Sequence, residues 1–317
     1  MKSRPGRARV AVTLIAAGFA MLFQLGAAGV SAAPRATTAT AYKIAAVHVI
    51  DLPLAQRYYV EASLPRLRAR APVDRRGVPL YRRDGELYYH PVVLAQRALA
   101  LIEGYRQTGD SRYLSGARVV AKRLVAESTV VDGARYLPYK FDFPLHGLSN
   151  DVMQAPWYSG MAEGQALSVF SRLHALQGRA ADLEIAASLF KAIQVHGTTG
   201  PWVSHVDSAG YLWIQEFPKK GADYTLNGFV FALFGLYDYY EETGAAEVHK
   251  MLLGGLTTVL HYLPDFRNPG GISYYCLSHH VRSLKYHNIH VAQLRMLARM
   301  TESPVFARYA TLFDADA

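Results

Sequence analysis

Apolar residues recur at three- and four-residue intervals through four stretches of this chain, and each stretch is broken once near its middle. In "ALALIEGYRQTGDSRYLSGARVVAKRLV" two such runs flank Thr108-Gly109-Asp110-Ser111. "ALSVFSRLHALQGRAADLEIAASLFKAI" repeats the pattern around Gly178, and "FALFGLYDYYEETGAAEVHKMLLGGLTTVL" repeats it around Gly244. "VAQLRMLARMTESPVFARYATLF" is a glycine-free version that turns at Thr301–Pro304. The interval predicts amphipathic helices, and a glycine past the last turn supplies a left-handed C-cap that lets the chain reverse. Each stretch therefore reads as a helical hairpin. One hairpin cannot cover its own apolar stripe, so the four must pack together.

The segments before these hairpins differ in character. "RGVPLYRRDGELYYHP", "VDGARYLPYKFDFPLHGLSND", "PWVSHVDSAGYLWIQEFP" and "GGISYYCLSHHVRSLKYH" are rich in Tyr, Trp, His, Gly and Pro. Asp84-Gly85 and Ser208-Ala209-Gly210 suit tight turns between short strands. Because all four segments lead into the first helix of a hairpin, they should emerge at one end of a ring of helices. The expected fold is all-α: an α/α toroid built from helical hairpins, with short β-hairpins in the cleft-side loops. An open helical solenoid is the weaker alternative. Gly109, Gly178 and Gly244 are spaced by 69 and 66 residues, too far apart for ordinary solenoid repeats.

Residues 1–33 read as a signal peptide or anchor: Lys2, Arg4, Arg7 and Arg9 precede an apolar run, and "SAAP" offers a cleavage site. Residues 34–42 read as a Thr/Ala-rich linker, and 43–317 as the toroid domain. Such a leader implies a secreted or extracytoplasmic protein; left uncleaved, it would anchor the chain to a membrane. Four of the 34 Lys and Arg lie in the leader, leaving 30 against 25 acidic residues, a net of +5. That mild excess suits an anionic partner, and no basic tract marks nucleic-acid binding. Cys276 is the single cysteine, so no internal disulfide is available. Stability must come from burying the 51% of residues that are hydrophobic. Nothing in the sequence speaks against a homodimer.

Candidate chemistry gathers in the aromatic loops. Tyr89, Trp157, Tyr158, Tyr275 and Tyr286 bear rings with a polar edge, suited to sugar rings or to capping the helical core. His287 and His290 share a helix face, but no nearby carboxylate and no zinc pattern accompanies them. They read as a hydrogen-bonded pair orienting Tyr286, and no metal is expected. Glu216, in "WIQEFP", is a carboxylate that could act as base or hold a tyrosine hydroxyl. Asp142, Asp151, Glu163 and Glu216 are conceivable members of a hydrolytic pair, with no spacing that singles one out.

Six stretches together resemble the C-terminal domain of D-glucuronyl C5-epimerases: "PWYSGMAEGQALSVFSRLHALQG", "WIQEFP", "LNGFVFALFGLYDYYEETG", "ISYYCLSHH", "KYHNIHVAQLRML" and "ESPVF". A weaker match covers "YYHPVVLAQRALA". The resemblance implies an α/α toroid and inversion at C5 of glucuronyl residues in an acidic, heparosan-type polysaccharide, without a cofactor. Removing the proton alpha to a carboxylate gives an enolate-like dianion, which needs positive charge or strong donors beside it. It also needs one group to take the proton and another to return it. The resemblance implies catalytic roles for Tyr286, Tyr275 and Glu216. It places Gln165, Asn227, His287 and His290 at retained polar positions of the substrate site. Three departures stand out. Phe217 and Ser278 occupy positions where the family has a tyrosine and an arginine, and Lys285 replaces an aspartate. Lys285 or Arg282 could restore the missing charge. A uronate polysaccharide lyase and a non-catalytic glycan-binding envelope protein are the competing readings.

Overall fold

Among the described residues, eight α-helices form four hairpins. They are α1 (Pro91–Thr108) with α2 (Ser111–Glu127), α3 (Gly160–Gln177) with α4 (Ala180–Gln194), α5 (Leu226–Thr243) with α6 (Ala246–Phe266), and α7 (Leu284–Thr301) with α8 (Pro304–Asp316). A computed structural model describes residues 41–317, apart from 61–63, 71 and 198–199. The leader expected at 1–33 and most of the linker expected at 34–42 lie outside these residues.

Each hairpin turns through a left-handed residue. Gly109 (φ 69°), Gly178 (φ 63°) and Gly244 (φ 61°) end α1, α3 and α5, each donating its N–H to the carbonyl four residues back at 2.7 Å. Glu302 (φ 51°) takes the same place after α7 despite its side chain. Asp110 then caps α2, its carboxylate accepting the Arg112 N–H at 2.9 Å.

The first helices of the hairpins contact one another in series, α1 to α3 to α5 to α7, and each second helix backs onto its own partner. The result is an α/α toroid, as the hairpin pattern predicts. Its centre is α3 and α5, buried without interruption from Gly160 to Leu173 and from Leu226 to Tyr239. A Cβ at Gly235 would overlap the Gly164 carbonyl, and one at Gly164 would overlap Ala232. Glycine is required there because the two backbones touch. Each fully buried leucine at this seam contributes about 1.5–3 kcal/mol.

Short antiparallel hairpins occupy the segments before α1, α3 and α5, as expected, while the α6–α7 connection has an isolated bridge between Tyr274 and Arg282 instead. β1 (Tyr81–Arg83) pairs with β2 (Glu86–Tyr88), β3 (Thr129–Val131) with β4 (Ala134–Tyr136), β5 (Phe143–Pro144) with β6 (Val152–Met153), and β7 (Ser204–Val206) with β8 (Leu212–Ile214). Asp84-Gly85 and Asp132-Gly133 turn the first two with positive φ at both residues, matching the strand twist. Residues 41–60 run along the helices as an irregular strap. Tyr237 Oη accepts the Leu52 N–H at 2.8 Å and donates to the Ile50 carbonyl at 2.7 Å. Ile50 N–H donates to the Met300 carbonyl at 2.9 Å. Among the described residues no helix is long and apolar enough to cross a membrane.

Candidate active site

The N-terminal ends of α1, α3, α5 and α7 converge on a cavity of about 800 Å³. His90 and Val92 border it from α1, Ser159 and Met161 from α3, Asn227 and Phe231 from α5, and Lys285 and Tyr286 from α7. The inter-hairpin loops complete the wall. The macrodipole makes each helix N-terminus partly positive, so four such ends favour an anionic guest.

Glu216, Tyr275 and Tyr286 meet on one side of this cavity. Tyr275 donates its hydroxyl to Glu216 Oε2 at 3.0 Å, and the two tyrosine rings lie 4.4 Å apart at 42°. Glu216 leaves β8 just after Gln215, whose carbonyl accepts the Gly160 N–H at 2.7 Å and anchors the strand end to α3. Its carboxylate lies against the first turn of α5. A Cβ at Gly228 would overlap it, so only glycine leaves that space.

Burial pushes the Glu216 carboxyl up to about 7; the Tyr275 hydroxyl, opposing this, stabilises the ionised form. Burial also raises the Tyr275 phenol well above its ordinary range, with the Glu216 charge adding to the effect, and raises Tyr286 for the same two reasons. At neutral pH the tyrosines are therefore neutral proton donors, while Glu216 divides between acid and carboxylate. A group near 7 is suited to take or give a proton.

Four other residues singled out from the sequence have clear placements at the cavity. Trp157 is buried, stacked on Tyr139 at 3.8 Å, with its indole N–H on the Phe141 carbonyl. Asn227 is buried with Oδ1 unpartnered. Lys285 is exposed at the rim, its Nζ 5.4 Å from the Tyr286 ring. Phe217 lies parallel to Phe143 at 5.9 Å, an apolar wall where a tyrosine would offer a hydroxyl.

Six lie away from it. Tyr89 donates to Asp74 at 2.9 Å under the Arg123 guanidinium. Tyr158 packs on Tyr136, and Arg282 is exposed on a bridge to Tyr274. Gln165 is enclosed in α3. His287 and His290 face inward from α7, and both converge on Ser273: His287 Nδ1 accepts its N–H at 3.0 Å, and His290 Nδ1 contacts its hydroxyl at 2.9 Å. They fix the loop before Tyr275 to the helix that carries Tyr286. Burial holds His290 neutral, pulled down to about 3.

Tyr139, one of the tyrosines of the aromatic loops, also borders the cavity, as do Arg83, His90, Phe143 and His146, which the sequence does not single out. All belong to the aromatic segments, and that composition was the only signal for them. Behind His146, the side chains of His146, Asp223, Cys276 and His279 each bring one donor atom within 4.8 Å of the others. Ser278 points elsewhere, donating to the Ala222 carbonyl at 2.7 Å.

Residues 132–315 match the family described as D-glucuronyl C5-epimerase C-terminus. The D-glucuronyl C5-epimerase of Caenorhabditis elegans is 26% identical over 178 residues, half of this chain and 28% of that protein. An uncharacterized protein of Methanocaldococcus jannaschii, MJ1128, is 25% identical over 173 residues, 54% of each chain. The chain thus spans about half or less of the curated relatives it matches. Among solved structures, cellobiose 2-epimerase from Bacillus thermoamylovorans shares the fold with a TM-score of 0.53 at 14% identity, over 71% of this chain and 59% of that one. A sugar epimerase from a ruminal bacterium gives 0.52 at 13% identity, over 74% and 61%.

Proposed function

The chain belongs to the D-glucuronyl C5-epimerase C-terminus family, and from that premise we propose that its cavity inverts C5 of uronyl residues in an acidic polysaccharide. The observation that carries this is the Tyr275–Glu216 hydrogen bond of 3.0 Å beside Tyr286. Its geometry supports a division of labour. A phenol raised above its ordinary range is a poor base, so the ionised half of Glu216 draws the C5 proton, with Tyr275 as relay. Tyr286, a neutral phenol, returns a proton. C5 then has to lie between these hydroxyls. The enolate-like dianion needs neighbouring positive charge. Four helix N-termini, Lys285 and Arg83 can supply it where Ser278 cannot. No step calls on a cofactor. The expected leader, a signal peptide or anchor, supports a site of action outside the cytoplasm.

Phe217 and Ser278 favour a second reading, a glycan-binding protein without turnover. One experiment separates the two. The protein is incubated with uronate polymers in deuterated water and C5 is followed by NMR. Epimerisation brings deuterium into C5 without chain shortening, and Tyr286→Phe should lower that exchange by about a hundredfold or more while polymer affinity is kept. Binding with no exchange in the wild type would leave the second reading. A new unsaturated product would instead mean elimination, the lyase chemistry. Unchanged exchange in Tyr286→Phe would remove that residue from the mechanism.

A further inference from the structure

Behind the cavity wall, three chain segments bring four donors of three kinds to one point. His146 Nε2 lies 3.0 Å from Asp223 Oδ2 and 3.5 Å from Cys276 Sγ, and His279 Nδ1 lies 2.7 Å from Asp223 Oδ1. Asp223 and Cys276 are buried, while His279 keeps 27% of its side chain exposed, a route in from solvent. We propose that His146, Asp223, Cys276 and His279 bind one divalent zinc-type ion, a binding that can be read without a glycan.

The arrangement is not a proton relay. In a Cys-His-Asp triad the thiol and the carboxylate occupy opposite ring nitrogens. Here both approach Nε2, as ligands around a shared centre do. A tetrahedral zinc with bonds of about 2.0–2.3 Å keeps its ligands roughly 3.3–3.8 Å apart. The contacts just given and the widest separation of 4.8 Å bracket that spacing, so shifts of about an ångström would close the site. Charge also balances. One thiolate and one carboxylate neutralise a dication, with two neutral imidazoles completing four ligands, which suits a buried place.

The outer shell fits as well. His279 turns its other nitrogen, Nε2, to Asp151 Oδ2 at 3.5 Å, and Lys219 in turn holds Asp151. A carboxylate behind a ligating histidine orients the ring and raises its basicity. The local backbone is held in uncommon conformations: His146 (φ 54°), Tyr224 (φ 55°) and His280 (φ 48°) are left-handed without being glycine. The last two adjoin Asp223 and His279. Such strain gathers at functional sites and persists only where the surroundings impose it.

The test needs no substrate. The full-length protein is stripped with a chelator and titrated with Zn²⁺ alone, then with Co²⁺ as a spectroscopic probe. One ion per chain is expected, with an intense near-ultraviolet thiolate-to-cobalt band. Cys276→Ser should remove that band. Asp151→Asn should weaken zinc binding about 10–100-fold, and His279→Ala, an exposed ligand whose loss spares the core, by more. Circular dichroism verifies that each variant is folded. Absence of stoichiometric uptake by the wild type would overturn the proposal, as would equal uptake by folded His279→Ala. Failure of C5 exchange would leave these readouts untouched, so the two readings fail separately.

Discussion

Glu216 sets stability against reactivity at a single side chain. An unhindered carboxyl ionises near 4.5, but burial holds this one to about 7. The titratable groups facing it are Tyr139, His146, Asp223, Tyr275 and Tyr286, with the Thr225 hydroxyl beside them. A raised carboxyl means the folded chain keeps a proton that the unfolded chain has released. Its effect on stability is therefore nil below 4.5, grows unfavourable as pH rises, and is complete above about 7. Glu216→Gln removes the charge and keeps an acceptor for Tyr275. At pH 8 the variant should be more stable by about 1–3 kcal/mol, and at pH 4 indistinguishable from wild type, as read by denaturant unfolding at both. Activity should run the other way. Exchange at C5 in the wild type rises through pH 7 to a plateau as the base form fills, and Glu216→Gln abolishes it. A rate that falls over that interval would show that the protonated acid is the working form.

Helix ends carry the next level of argument. Gly109, Gly178 and Gly244 all adopt left-handed turns with open space where a Cβ would go. An alanine there meets no neighbour, so its cost is backbone alone. Gly178→Ala should lose about 1–2 kcal/mol, seen as a fall of several degrees in Tm. Glu302→Gly should change stability by less, because relief of left-handed strain is offset by a more flexible unfolded chain. Gly228 differs: its space is taken by Glu216. Gly228→Ala should keep the fold and lose C5 exchange by at least about tenfold, since misplacing a reacting group by an ångström is enough. These turns explain what was legible in the sequence. Helical periodicity and glycine punctuation are local signals, so four hairpins could be read off, and Pro304 marked the fourth where glycine was missing. The resemblance brought Tyr275, Tyr286 and Glu216 forward together, and the chain folds them into one cavity. His146, Asp223, Cys276 and His279 left no such trace. They come from segments up to 133 residues apart, and only the ring of hairpins makes them neighbours. His287 and His290 gave the opposite case: a spacing that suggests ligands, spent instead on Ser273.

At the scale of the molecule, the toroid points the starts of its four inner helices at the same space. Their partial charges are fixed in the backbone and reach the guest at short range, where salt screens them little. The side-chain charges are different. Arg83 and Lys285 are the arginine and lysine that border the cavity among the described residues, while His146, raised to about 9 beside Asp223, is a cation already paired. Lys285 is exposed, and Arg83 reaches over Phe143 while holding Asp84 at 3.0 Å. Both act at the mouth, in high dielectric, where attraction to a polyanion weakens with ionic strength. Removing them separates the two sources. The Arg83→Ala, Lys285→Ala double variant should bind a uronate polymer about tenfold more weakly at low salt, equivalent to about 1.4 kcal/mol. It should also show a flatter dependence on salt than wild type. At high salt the two proteins should converge, because only the helix-end contribution is left. Titration of a fluorescent polymer at two ionic strengths measures both effects. Parallel salt dependences for the two proteins would place the polymer's anionic groups away from this mouth, and the helix starts would then face a guest held by stacking alone.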